Sequence, residues 1–251
     1  MQNSDNSGII KITYYTDPLC CWSWGFEPQW RRLRFEFRNQ ISWKYVMGGL
    51  IPNWERYNDP MNSISKPLQM GPLWREVYYT TGMNVNDSIW FKDPPQSSFP
   101  SCIAVKGAGI QSPGLEEMML RELREAVMVK GINISKRDEL LKIAENIAAK
   151  NNEFDFQDFI KTLDDGNAAE AFKVDLQQAK LSGIGRFPTL TFETEEKGLI
   201  LTGYRPYPVL IDALQQISPG IKPDAPIENK DEYHDFWYNI TEREMKEVRI
   251  Q

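Results

Sequence analysis

The 251-residue sequence contains only three cysteines and one histidine. So small and odd a cysteine count cannot build the disulfide framework of a secreted domain. The cysteines stand at 20, 21 and 102, without the C-x2-C spacing of tetrahedral zinc sites, and the lone His234 cannot complete a ligand set. No metal is expected. His234 lies in a polar tail and is expected at the surface, so Ser-His-Asp and Cys-His arrangements have no histidine to draw on. Basic residues are also short, 29 Lys plus Arg against 35 Asp plus Glu, giving a net charge of -6. That balance leaves no electrostatic footprint for nucleic acid. No apolar run approaches the roughly 20 residues of a membrane-spanning helix, and the mean hydropathy is -0.50. The opening MQNSDNSG carries Asp5 and no basic residue, which does not support a signal peptide. The expectation is a cytoplasmic protein that engages neither nucleic acid nor membrane. At 41% hydrophobic and 12% aromatic the chain can bury a sizeable core. Any chemistry falls to a thiol.

Residues 8–16 are β-branched and aromatic with partial alternation, and Asp17-Pro18 ends the run, so a strand is predicted. From 20 to about 37, Phe26, Trp30, Leu33 and Phe37 recur at helical spacing. Residues 41–48 return to strand character and stop at Gly48-Gly49. The connection is long enough for the two strands to lie parallel through a right-handed crossover. A stretch rich in Pro, Asn and Ser follows, with helices predicted near 68–81 and from Pro100. Further helices are predicted at 115–130, 135–150 and 167–181, the second opening on a Ser135/Asp138 capping box. The methionines of 115–130 read as core filler. Residues 189–194 and 199–202 form a predicted hairpin around Glu195-Glu196-Lys197-Gly198. Pro208 opens a helix carrying Leu210, Ile211, Leu214 and Ile217 inward. In the tail, Thr241 and Glu244 suit the cap of one more short helix, and Tyr233, Phe236, Trp237 and Tyr238 fit either a docking surface or packing onto the domain.

The informative segment is Thr16-Asp17-Pro18-Leu19-Cys20-Cys21-Trp22-Ser23-Trp24-Gly25-Phe26, where the first strand hands over to the first helix. A helix N-terminus offers unpaired N–H groups and a positive dipole end, which favour a thiolate. Such surroundings lower thiol values from about 8.5 to roughly 3.5–7.5. Cys20 is therefore the candidate nucleophile, although a cysteine on an apolar segment is equally a small buried hydrophobe. Cys21 points about 100° away around the helix and is expected to face the core.

The order strand, cysteine at a helix start, strand, helical insertion, then Phe187-Pro188-Thr189 before a hairpin and last helix resembles the DsbA-like branch of the thioredoxin superfamily. Within that branch it is similar to the FrnE-related and protein-disulfide-isomerase group, whose active segment reads roughly D-P-x-C-x-W-C-W-G-F. Asp17, Pro18, Cys20, Trp22, Trp24, Gly25 and Phe26 match it; Ala104-Val105-Lys106 and Gly203-Tyr204-Arg205-Pro206-Tyr207 also look like the group. The resemblance implies an α/β, thioredoxin-like fold with an inserted helical domain. Its expected parts are 1–60 and 186–218 as the two halves of the thioredoxin-like domain, 61–185 as the insertion, and 219–251 as a tail with a short helix. It further implies that Pro188 is cis and faces Cys20, with Phe187 and Trp22 lining the substrate.

Ser23 stands where the group has its second cysteine, so the C-x-x-C disulfide cannot form. What remains is monothiol chemistry. Cys20 would attack a peptide disulfide or a glutathione mixed disulfide, Ser23 would donate to it, and glutathione as co-substrate or Cys102 as a second thiol would resolve the intermediate. No tightly bound cofactor is expected. Two alternatives stay open: a kappa-class-like glutathione-dependent transferase or isomerase, and a non-catalytic adaptor that binds a partner protein.

Overall fold

The computed structural model describes residues 9–237 and 239–248; Gly8 and Tyr238 lie outside them. In chain order come β1 (Ile10–Thr16), α1 (Cys21–Glu36), β2 (Ile41–Met47), a 3-10 turn (Pro67–Gln69), α2 (Met70–Thr81), α3 (Ile89–Lys92), α4 (Phe99–Gln111) and α5 (Pro113–Met128). Then follow α6 (Arg137–Ala148), α7 (Phe156–Asp164), α8 (Asn167–Leu181), β3 (Thr189–Glu193), β4 (Gly198–Thr202), α9 (Tyr207–Ile217), α10 (Lys230–Phe236) and α11 (Glu242–Glu247). Contacts divide the chain into two compact units. Most of the sheet, the later part of α1 and the described residues from Pro188 onward form one; Tyr15–Gly25 and Val46–Phe187, with the last residues of β1 and β2, form the other. The cysteine-bearing turn therefore groups with the helical unit, and the tail groups with the sheet.

In the sheet unit the strand order is β2-β1-β3-β4. Ile10 N–H donates to Gln40 O at the start of β1 and β2. At their far ends Gly48 N–H donates to Thr16 O, so the two strands run parallel. β3 and β4 pair antiparallel in the predicted hairpin, Thr189 opposite Thr202 and Glu193 opposite Gly198. The helical stripe Phe26, Trp30, Leu33, Phe37 is buried throughout, and Tyr14 meets Phe26 and Trp30 edge-to-face at 5.9 and 5.3 Å.

α1 is buried on a second side as well, because the tail folds over it. Phe35 lies 5.2 Å from Tyr233 and 5.1 Å from Phe236. The Arg34 guanidinium stacks 3.9 Å over Trp43 and 4.9 Å from Trp237, while Arg31 lies 4.7 Å over Trp237 and pairs with the buried Glu244 at 3.2 Å. Thr241 and Glu244 form the expected capping box at α11. Tyr233 and Trp237 thus resolve as packing, and Phe236 is half-exposed.

In the helical unit α4 packs against α5, α7 and α8. Met119 and Met128 fill core space. Lys106 bridges Glu116 and Asp175 at 2.6 and 3.1 Å, and Asp175 also accepts Met47 N–H. The Ser135/Asp138 capping box does not form. Lys136 occupies the N-cap, and the Ser135 hydroxyl turns back to Asn133 Oδ1 at 2.6 Å, an Asx-type local bond that competes with capping. α3, α7 and α10 are additions to the predicted elements.

Trp237→Ala should cost about 3 kcal/mol in urea unfolding, the scale of a large buried aromatic removed. Phe236→Ala, at a half-exposed position, should cost about 1 kcal/mol. Equal losses, or none at Trp237, would show that the tail does not clasp α1.

Candidate functional site

β1 delivers the chain to a turn organised by one carboxylate. Asp17 is fully buried. Its Oδ1 accepts Leu19 N–H at 2.8 Å, and its Oδ2 accepts Leu50 N–H at 2.6 Å, the Ser98 hydroxyl at 2.8 Å and the Cys102 thiol at 3.3 Å. Four donors from three chain segments meet there. Burial still wins: it pushes the Asp17 carboxyl above its ordinary value, and the four bonds only partly offset it.

Cys20 stands immediately before α1 and is 5% exposed. Its sulfur accepts the Ser23 N–H at 3.4 Å, and the Ser23 side chain also reaches it. On its other side the thiol donates to the Phe187 carbonyl at 3.3 Å, which only the protonated form can do. Burial pushes the Cys20 thiol up; the Ser23 hydroxyl and N–H pull it down, the Asp17 charge adds to the rise and Arg124 opposes it. The net direction is upward. The helix start supplies the expected donors, but loss of water outweighs them, so the predicted lowering is reversed.

Cys21 is buried as expected and is pushed well up, by burial first and Cys20 second. Cys102 is committed as a donor to Asp17 and is likewise pushed well up, by burial and then by that carboxylate. Ser23 is brought to Cys20, and so is the Phe187 backbone. Trp22 is half-buried, whereas Trp24 is core, its Nε1 donating to Asn84 O at 2.9 Å. Pro188 is buried and its carbonyl accepts Gly203 N–H within the sheet unit. His234 is exposed. Among the described residues no His, Cys, Asp or Glu cluster is arranged to hold a metal, and no helix is long and apolar enough to cross a membrane.

Three contributors went unassigned in the sequence. Asp17 was visible only as the end of a strand and as a motif match. Ser98 carried no signal. Arg124, almost fully buried, donates to Thr16 Oγ1 at the end of β1, and its position on the helix gave no signal for that role.

A sheet in which β1 leads through a cysteine-bearing turn into α1, with helices α2–α8 inserted between β2 and β3, defines a thioredoxin-like fold of the DsbA type. A family model described as thioredoxin matches residues 14–212, and the chain belongs to that family. Among curated proteins it is 28% identical to the ClpXP adapter protein SpxH of Halalkalibacterium halodurans over 86% of this chain and 69% of that one. A solved structure from Nitrosomonas europaea, named for protein disulfide isomerase, superposes with a TM-score of 0.67 at 22% identity, covering 83% of this chain and 97% of its own. The cytosolic disulfide reductase DsbM of Pseudomonas aeruginosa, solved with GSH, gives 0.57 at 17% identity, covering 90% and 96%. Both structures bear on fold.

Burial pushes all three thiols above their ordinary value. A group whose folded value lies above its unfolded one gives stability that is complete below the unfolded value, about 8.5 for a thiol, and is lost as pH rises toward the folded value. Urea midpoints under reducing conditions should therefore fall from about pH 8.5 upward, with a shallower fall in Cys21→Ala. A midpoint that stays flat to about pH 9.5 would contradict the burial of these groups.

Proposed function

We propose that the protein serves as a polypeptide-binding adapter on a DsbA-like frame rather than as a disulfide oxidoreductase that turns over. The observation that carries this reading is the enclosure of Cys20, 5% exposed and with its thiol 3.3 Å from the Phe187 carbonyl. Thiol–disulfide exchange needs a thiolate to attack and a second thiol to release the mixed disulfide. Ser23 occupies the place one turn on, and Cys102 is engaged with Asp17. The likeness to an adapter protein of ClpXP supports the same direction. On this reading the partner is another protein, presented to a ClpXP-type protease in the cytoplasm, and the fold supplies shape rather than redox chemistry.

A second reading rests on one specific feature. The Ser23 hydroxyl and N–H both favour negative charge on the Cys20 sulfur, as a monothiol coupled to glutathione requires. There the Cys20 thiolate attacks the glutathione sulfur of a mixed disulfide, forming a Cys20–glutathione disulfide and releasing the substrate thiolate. An incoming glutathione then attacks, regenerating Cys20 and leaving oxidised glutathione.

The two separate on Cys20→Ser. For an adapter, purified chain added to reconstituted ClpXP should accelerate degradation of a bound client, and Cys20→Ser should keep that acceleration within about twofold, since only one buried hydrogen bond is altered. Insulin reduction with glutathione should stay at background in the wild type and rise in Ser23→Cys, which restores the C-x-x-C spacing. Wild-type turnover with glutathione that vanishes in Cys20→Ser would overturn the adapter reading and establish the second.

A further inference from the structure

The Cys20 thiol is closed from one side by a residue 167 positions away, the carbonyl of Phe187. The Phe187 ring packs against the buried cluster of Tyr15, Val46 and Ala179, and its tip rests on Gly48, just beyond β2. A Cβ added at Gly48 would overlap Cζ, Cε1 and Cε2 of the ring. The backbone beneath the ring has no freedom to retreat. Gly48 N–H is tied to Thr16 O at 2.7 Å. Gly49 adopts φ +64°, and a Cβ there would lie 2.8 Å from Phe99 Cε1 and 2.9 Å from Leu176 Cδ2. Leu50 N–H is tied to Asp17 Oδ2. Three successive residues are thus pinned, so a side chain at 48 displaces the ring and not the strand end.

We infer that Gly48 is a positioning residue for the Cys20 site. It seats the Phe187 ring, the seated ring holds the Phe187 carbonyl on the thiol, and a thiol-directed ligand gains access only when the ring lifts from Gly48. The inference rests on the proposed adapter reading only for what would enter, a polypeptide; how the Cys20 surroundings open is argued from the geometry itself. A half-buried phenylalanine suits this role, because part of its surface is already wet and lifting it costs less than exposing a core ring.

The test uses the full-length chain and counts iodoacetamide labelling at each cysteine by mass spectrometry. Cys21 and Cys102 report any general loosening. Gly48→Ala should raise the labelling rate of Cys20 roughly three- to tenfold, the scale of one lost hydrogen bond, and leave Cys21 and Cys102 unchanged. Phe187→Ala should raise it by a similar factor. In the Phe187→Ala background Gly48→Ala should add nothing, because no ring remains to be displaced. An unchanged Cys20 rate in Gly48→Ala, a joint rise of all three cysteines in both variants, or full additivity in the double variant would overturn the inference. Client degradation by ClpXP is a separate readout: its absence in the wild type removes the adapter reading while the labelling pattern still decides the gate.

Discussion

The carboxylate of Asp17 is the constraint on which the site depends. A buried anion must be matched by donors, since each unmade hydrogen bond at a buried group costs about 1–3 kcal/mol. Here the donors are two backbone N–H groups, a hydroxyl and a thiol, from the turn itself, from the loop beyond β2 and from the start of α4. One side chain thereby fixes the turn that carries Cys20, the loop that carries Gly48 and Gly49, and the helix that carries Cys102. Pro18 follows without an N–H of its own to satisfy, so the turn adds no further demand for an acceptor.

The same arrangement decides what the thiols do. At Cys20 two influences of the helix start, the Ser23 N–H and hydroxyl, favour ionisation, and Arg124 adds to them. Against them stand removal from water and the nearby Asp17 charge, and removal from water is the largest of all. A helix terminus lowers a thiol value most when the sulfur remains partly solvated. Cys102 illustrates the other limit. A thiol donating to a buried carboxylate is stabilised as the neutral form twice over, by its bond and by the charge it faces. It therefore serves as a structural donor.

Much of the architecture was legible because it is local. Strand alternation, the helical stripe of α1, the hairpin around residue 195 and the Thr241/Glu244 cap depend on neighbours a few residues apart. α8 matches its expected span, Asn167–Leu181, residue for residue. The omissions have two physical origins. α3 and α10 are four and seven residues long, too short for a periodic pattern to stand out. α7 did carry a signal, Asp155 as N-cap with Phe156, Phe159, Ile160 and Leu163 behind it, that was lost within a polar stretch. At the site, the motif segment singled out Cys20 and Ser23 as candidates and the family resemblance added Phe187, whose carbonyl lies 3.3 Å from the Cys20 thiol. The closure of Cys20 was not legible. It rests on a carbonyl 167 residues away, and the donors to Asp17 lie up to 85 residues off.

That division between local and distant explains why a familiar motif does not settle what the chain does. The strand, turn and helix that present Cys20 follow from short-range preferences, and proteins with different roles share them. Whether the sulfur meets solvent follows from long-range packing, here the Phe187 ring on Gly48 and the Asp17 hub. Replacing the second motif cysteine by serine removes the disulfide yet keeps a hydroxyl and an N–H on the sulfur. The polar contacts of the turn are therefore retained while the two-electron store is gone. The turn thus keeps its donors to the Cys20 sulfur while lacking the partner of a motif disulfide, and the exposure of that sulfur depends on the Phe187 contact as much as on how acidic the thiol is.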